Sequence, residues 1–180
     1  MGVRTMTEPS RPDDMAETNV RPARPGEAEV IRAVGRASWH AAYDPIHGPE
    51  TVEELFDSWW SVEDLREGAT DDDRVLLVAV RGNDVLGVVD AVPDPDREGA
   101  FRVARLYVHP DVWGEGLGTH LVDDLRERLP EGVERLRLVV LAENDVGVAF
   151  YESYGFERVE GRVEESGGEQ HEEYVYELAV

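Results

Sequence analysis

The chain has 180 residues, enough for one domain with a sizeable buried core. It contains no cysteine, which excludes disulfides, thiolate metal sites and a cysteine nucleophile. Its 40 acidic residues oppose 18 basic ones, all arginine, and the net charge of -22 argues against non-specific binding to nucleic acid or anionic membrane.

Residues 1–18 are polar, carry Pro9 and Pro12, and read as a disordered tail ahead of a single domain over 19–180. Asn19 to Pro22 is expected to begin an edge strand. Apolar and small residues from Ala28 to Ala41 recur at helical spacing, which predicts a helix over Gly26–Tyr43, broken by Asp44-Pro45 and His47-Gly48-Pro49. Thr51 with Glu54 reads as a capping box opening a second helix that carries Val52, Leu55, Phe56, Trp59 and Trp60. Acidic Glu67 to Asp73 is expected to be a loop. Val75–Val80 is a continuous apolar run, as in a central strand. Gly82-Asn83-Asp84 predicts a hairpin turn into a return strand over Val85–Val92.

Phe101–Val108 is the next predicted strand. Gly114-Glu115-Gly116-Leu117-Gly118 then opens a helix whose Leu117, Leu121, Leu125 and Leu129 form one apolar stripe. Leu136–Leu141 is another buried strand. Asp145–Tyr154 is a short helix with Gly155 at its left-handed cap. Phe156–Glu164 and Glu172–Val180 pair as a terminal hairpin. The element order predicts an α/β chain with a mixed sheet of about seven strands and about four helices on both faces.

The segment from Leu106 to Leu121 carries the most chemical information. A strand ends, a glycine-rich turn follows and a helix begins, so free N–H groups and a partial positive charge would face an anion such as a diphosphate. The residues alone leave open a plain tight turn. A Walker-type loop is excluded by the absence of lysine. The dinucleotide fingerprint fits poorly: the spacing is Gly114-x-Gly116-x-Gly118, and Glu134 precedes the next strand.

Leu106-Tyr107-Val108-His109-Pro110 followed by Gly116-Leu117-Gly118 resembles the acyl-CoA motif of the GNAT N-acetyltransferases. Asn144 to Phe156, with Phe150-Tyr151 and Gly155-Phe156, is similar to that family's second motif. Ser38 to Tyr43 also resembles a GNAT helix end. The resemblance covers roughly Val20 to Val180. It implies splayed central strands that admit the pantetheine arm of acetyl-CoA, the co-substrate, with no metal. The implied CoA contacts are Leu106, Tyr107, Val108, Trp113, Gly114, Glu115, Gly116, Leu117, Gly118, Thr119, Asn144, Phe150 and Tyr151. A backbone N–H near Val108 would polarise the thioester carbonyl. Tyr151 would protonate the departing thiolate, with Asn144 positioning the arm or capping its helix.

Three positions depart from the family pattern. Trp113 stands where Gln or Arg is usual, Glu115 where a basic residue is frequent, and Arg102 where many members carry a Glu as general base. Substitute bases are Asp90, His171, Glu172 or a water chain. The acceptor pocket is expected opposite CoA, lined by Trp39, Tyr43, His47 and Asp90. The acceptor is a small-molecule or peptide amine, and a homodimer is in keeping with the family. Trp59 and Trp60 read as helix–helix core. Two rival readings stand beside the enzyme: a catalytically silent acyl-CoA-binding domain, and a halophilic partner-binding domain without CoA.

No apolar run reaches the ~20 residues of a membrane span, and Met1 to Val20 lacks a secretory signal's apolar stretch, so a cytoplasmic protein is expected. The acidic surface is costly at low ionic strength and is screened at ~1 M salt, where the Debye length is about 3 Å, which suits a halophilic cytoplasm.

Overall fold

A computed structural model describes residues 18–166 and 168–180; nearly all of the expected N-terminal tail lies outside them. The elements run β1 (Thr18–Pro22), α1 (Ala28–His47), α2 (Pro49–Trp59), α3 (Val62–Gly68), β2 (Val75–Arg81), β3 (Asp84–Pro93), β4 (Ala100–Val108), α4 (Leu117–Arg128), β5 (Arg135–Leu141), α5 (Asp145–Tyr154), β6 (Glu157–Ser166) and β7 (Glu169–Ala179). They build one seven-stranded sheet in the order β1-β2-β3-β4-β5-β7-β6. Every neighbouring pair is antiparallel except β4 and β5.

Two apolar cores sandwich the sheet. Ile31 and Val34 of α1, Phe56 of α2 and Leu65 of α3 pack with Trp60 on Leu76, Val78 and Val88. Leu117, Leu121 and Leu125 of α4 pack with Phe156 and Tyr176 on Leu77, Val89, Val103 and Leu138. The leucine stripe therefore faces inward as its spacing predicts. Gly35 is small so that the Trp60 ring can lie against α1, since a Cβ there would collide with the indole.

The helices depart from expectation at three points. Helix α1 continues through Pro45 and ends only at Gly48, whose φ of 82° suits glycine. The Thr51 capping box does not form, because Pro49 at the first turn starts α2 three residues earlier, with Gly48 at the N-cap. Helix α3 occupies a stretch read in part as loop, and Ser61 caps it by accepting from the Asp64 N–H at 3.3 Å. Trp60 is buried as expected, whereas Trp59 is 67% exposed at the end of α2.

His40 ties α1 to α2. Its ring nitrogens lie 2.7 Å from Asp44 on its own helix and 2.7 Å from Glu53 on α2. Hydrogen bonds to Glu53 and then Asp44 raise the imidazole above its ordinary value. A raised folded value stabilises the protein fully below the unfolded imidazole's pKa and fades as pH climbs through the folded one. The pair is partly solvated, so its contribution is under about 1 kcal/mol. His40→Gln is expected to flatten that small fall in melting temperature as pH is raised through the imidazole range.

Candidate active site

Strands β4 and β5 pair only at their first residues, Ala100↔Arg135, Phe101↔Leu136 and Arg102↔Arg137. Beyond that point they separate. On the other edge of β4, the register with β3 shifts between Asp90 and Ala91, so Ala104 becomes an extra residue. The bulge lets Phe101, Val103, Leu106 and Val108 all face the α4 side while Tyr107 faces α1. The parting strands leave a slot whose walls carry unpaired backbone groups, suited to an extended amide-bearing chain.

A cavity of about 430 Å³ fills this slot and opens over the start of α4. Its walls include Leu106, Tyr107 and Val108 of β4, Val139 of β5, Asn144 to Tyr151 around α5, and Ser38 and Tyr43 of α1. At its mouth Gly114 and Gly116 have φ of 80° and 86°. The amides of Gly116, Leu117, Gly118 and Thr119 donate to no backbone carbonyl among the described residues. Four free N–H groups at one helix start form an anion cradle. Gly118 allows α5 to approach, because a Cβ would lie 3.0 Å from the Phe150 ring.

The chain matches the model of the acetyltransferase (GNAT) family over residues 36–156, which takes in both the cradle and Tyr151. It belongs to the GNAT acetyltransferase family. An acetyltransferase of Pectobacterium atrosepticum is 30% identical over 98 residues, spanning 54% of this chain and 67% of that protein. The PaiA N-acetyltransferase of Thermoplasma acidophilum, solved in complex with coenzyme A, superposes with a TM-score of 0.76 at 23% identity over 91% of this chain and 99% of its own. The ribosomal-protein-S18-alanine N-acetyltransferase of Escherichia coli gives 0.64 at 18%, over 90% and 93%. At these identities the solved structures establish the fold.

Within the acetyltransferase, every residue expected to contact CoA lines the cavity except Glu115. Its carboxylate turns aside to Arg81, 3.3 Å away, which keeps its charge from the cradle. Trp113 takes a role the sequence did not suggest. Its indole Nε1–H donates to the Val108 carbonyl at 2.7 Å and braces the loop against the end of β4.

Asn144 does two things. Its side-chain oxygen accepts from the Gly147 N–H at 2.9 Å and caps α5. Its amide nitrogen donates to the Tyr43 hydroxyl at 3.1 Å, joining segments 101 residues apart. Tyr151 stands among Phe150, Phe156 and Tyr176 with ring centroids 5.6–6.2 Å away. Burial, and then the neighbouring Tyr43, push its phenol well above the ordinary tyrosine value. Burial also raises Tyr43 and Tyr107. The three phenols of the cavity thus keep their protons near pH 7.

The expected acceptor pocket divides. Tyr43 lines the cavity. Trp39 does not; it packs behind the wall, edge-on to Tyr43 and Phe56 and tilted on Tyr107. His47 is not part of the cavity wall; its ring lies 6.5 Å from that of Tyr43 and 5.4 Å from that of His171 of β7, a contact between α1 and the last hairpin. Asp90 is corrected outright, both as pocket lining and as a base. It is fully buried on the α1 side, with its oxygens held at 2.7 and 2.7 Å by Arg74 and at 2.5 Å by Arg105. A fully buried carboxylate whose oxygens are held by two guanidiniums is not reachable from the cavity. Arg102 is exposed on β4, and the cavity wall contains no carboxylate or imidazole among the described residues.

Proposed function

We propose that this chain transfers an acetyl group from acetyl-CoA to a primary amine by direct attack within a ternary complex. The observation that carries the reading is the alignment of four free amides at the start of α4 with the slot between β4 and β5. The residues fit CoA: Gly116 to Thr119 would hold the diphosphate, the strand edges would bond the pantetheine amides, and Tyr151 stands deep in the same cavity. CoA supplies the acyl thioester. A β4 N–H near Val108 acts as the oxyanion donor. The amine nitrogen attacks the acyl carbon, the C–S bond breaks, and the sulfur takes a proton from the Tyr151 hydroxyl. Burial weakens that phenol as an acid but guarantees that it carries its proton when the sulfur leaves. The proton lost by the acceptor nitrogen leaves to solvent, from which Tyr151 is reprotonated, and the cavity wall carries no carboxylate or imidazole among the described residues.

Gly116→Val tests the reading. A β-branched residue at φ 86° is strained, and its side chain would crowd the cradle. Titration with acetyl-CoA is expected to show affinity reduced at least a hundredfold. Unchanged affinity would place the nucleotide elsewhere. Acetyl-dependent thiol release with an amine panel separates the enzyme from a silent CoA-binding domain, which would bind without turnover.

The charge of -22 further supports a salt-adapted, cytoplasmic protein. The melting temperature is expected to climb by several degrees from 0.1 M to 2 M KCl. A flat or falling series would contradict salt adaptation.

A further inference from the structure

The main cavity passes through the sheet where β4 and β5 part. Leu106, Val108 and Tyr151 bound the half that faces α4. Ser38, Ala42 and Tyr43 of α1 and Tyr107 of β4 bound the other half. A nucleotide on the cradle with its arm in the slot fills the first half and leaves the second open. Two hydroxyls of that second half have no acceptor. Ser58 of α2 returns its proton to the Leu55 carbonyl at 2.8 Å, as helix serines do. Ser38 is only 5% exposed, yet its hydroxyl makes no hydrogen bond among the described residues. The Tyr43 oxygen accepts from the Asn144 amide nitrogen at 3.1 Å. The Asn144 oxygen is taken by the Gly147 N–H, so the amide cannot turn over to receive a proton from Tyr43. The phenolic proton therefore points away from Asn144 and meets no acceptor among the described residues. Buried donors left without a partner are costly, and a ligand that supplies the acceptor removes that cost.

We infer that the acceptor is an α-amino amide, the group shared by amino-acid amides and peptide N-termini, and that Ser38 and Tyr43 donate to its carbonyl oxygen. This deepens the acetyl-transfer reading above and rests on it. A carbonyl on the carbon next to the attacking nitrogen reaches the α1 wall while the nitrogen meets the acyl carbon in the slot. A carboxylate would satisfy the same two donors. It would enter without a counter-ion, since no guanidinium lines the cavity among the described residues and the chain carries a net charge of -22. A diamine brings a second ammonium to a wall with no carboxylate and offers neither hydroxyl an oxygen. A plain alkylamine leaves both hydroxyls buried and unpaired, which is how a polar site rejects an analogue that lacks the matching group.

The test measures kcat/KM at one pH and saturating acetyl-CoA for glycinamide, glycine, ethylamine and 1,4-diaminobutane. The native protein is compared with Ser38→Ala and Tyr43→Phe. Alanine suits a helix, and phenylalanine keeps the ring against Trp39, so both variants should fold. The glycinamide-to-ethylamine ratio is expected to fall about fivefold or more in each variant, the usual loss for one hydrogen bond. The protonation of each amine cancels in that comparison, and CoA affinity, titrated separately, should remain that of the native protein. Triglycine amide beside glycinamide separates the two sources: a peptide N-terminus is turned over with both, a small amide with glycinamide alone. A ratio that either substitution leaves unchanged overturns the assignment. So does a native protein that turns over glycine or 1,4-diaminobutane faster than glycinamide per neutral amine. Loss of CoA affinity in the variants would give the hydroxyls to the nucleotide and overturn it equally. A native protein that binds no CoA, or that acetylates none of the amines, would overturn the acetyl-transfer reading itself and this assignment with it.

Discussion

Tyr151→Phe is expected to lower kcat by about a hundredfold or more while the affinity for CoA changes less than about threefold. Removal of a general acid typically costs that much, because the leaving thiolate must then find its proton in water. The substitution deletes one oxygen and leaves the ring among Phe150, Phe156 and Tyr176, so packing is retained. Steady-state kinetics beside a CoA titration separates the two effects. If kcat is unaltered, Tyr151 is a packing residue. If kcat and CoA affinity fall together, the hydroxyl holds the substrate and does not donate to the sulfur.

The second large effect concerns stability. Asp90→Ala is expected to destabilise the fold by about 3 kcal/mol, the low end of the loss when one partner of a buried ion pair is removed. As a carboxylate partner Arg74 and Arg105 would keep Asp64 alone among the described residues, at 3.1 and 3.0 Å, and its side chain is 45% exposed. Burial alone would raise Asp64, but hydrogen bonds and charge from Arg74 and Arg105 hold it below the usual carboxylate range. Its stabilisation is present above the unfolded carboxylate's pKa and is lost as pH falls through the lowered folded value. Thermal unfolding should show a melting point lower by about 6–12 °C in a domain of this size. A loss below about 1 kcal/mol would mean that the cluster is not the fixed point the geometry implies. Because Asp90 lies outside the cavity, CoA affinity should stay near that of the native protein wherever the variant is folded.

Local signals were legible in the sequence. The leucine stripe from Leu117, the glycine cap at Gly155 and the apolar run from Val75 each depend on residues within a few positions. The two motifs also stand in a fixed order, which brought the cradle and Tyr151 into one expected cavity. What escaped the sequence is mostly long-range. Nothing near Asp90 announces Arg74 and Arg105 as its partners, since a strand register shift brings them together. Nor does the sequence around Tyr43 reveal its bond to Asn144. Trp39 could equally have faced the pocket or the core, because α1 is apolar on one side and borders the cavity at its end. Proline proved a weaker stop than expected in α1, where Pro45 is accommodated in the last turn. The Ser61-x-x-Asp64 cap of α3 is present in the sequence but opens a stretch with no expected element, and only Glu67 and Gly68 at its end read as loop.

The most direct measurement is a crystal structure with acetyl-CoA bound. The account predicts diphosphate oxygens within hydrogen-bond distance of the amides of Gly116 to Thr119, with the pantetheine arm running between β4 and β5. The sulfur should lie beside the Tyr151 hydroxyl. A nucleotide bound outside that slot, or strands that close together and leave no slot, would contradict it.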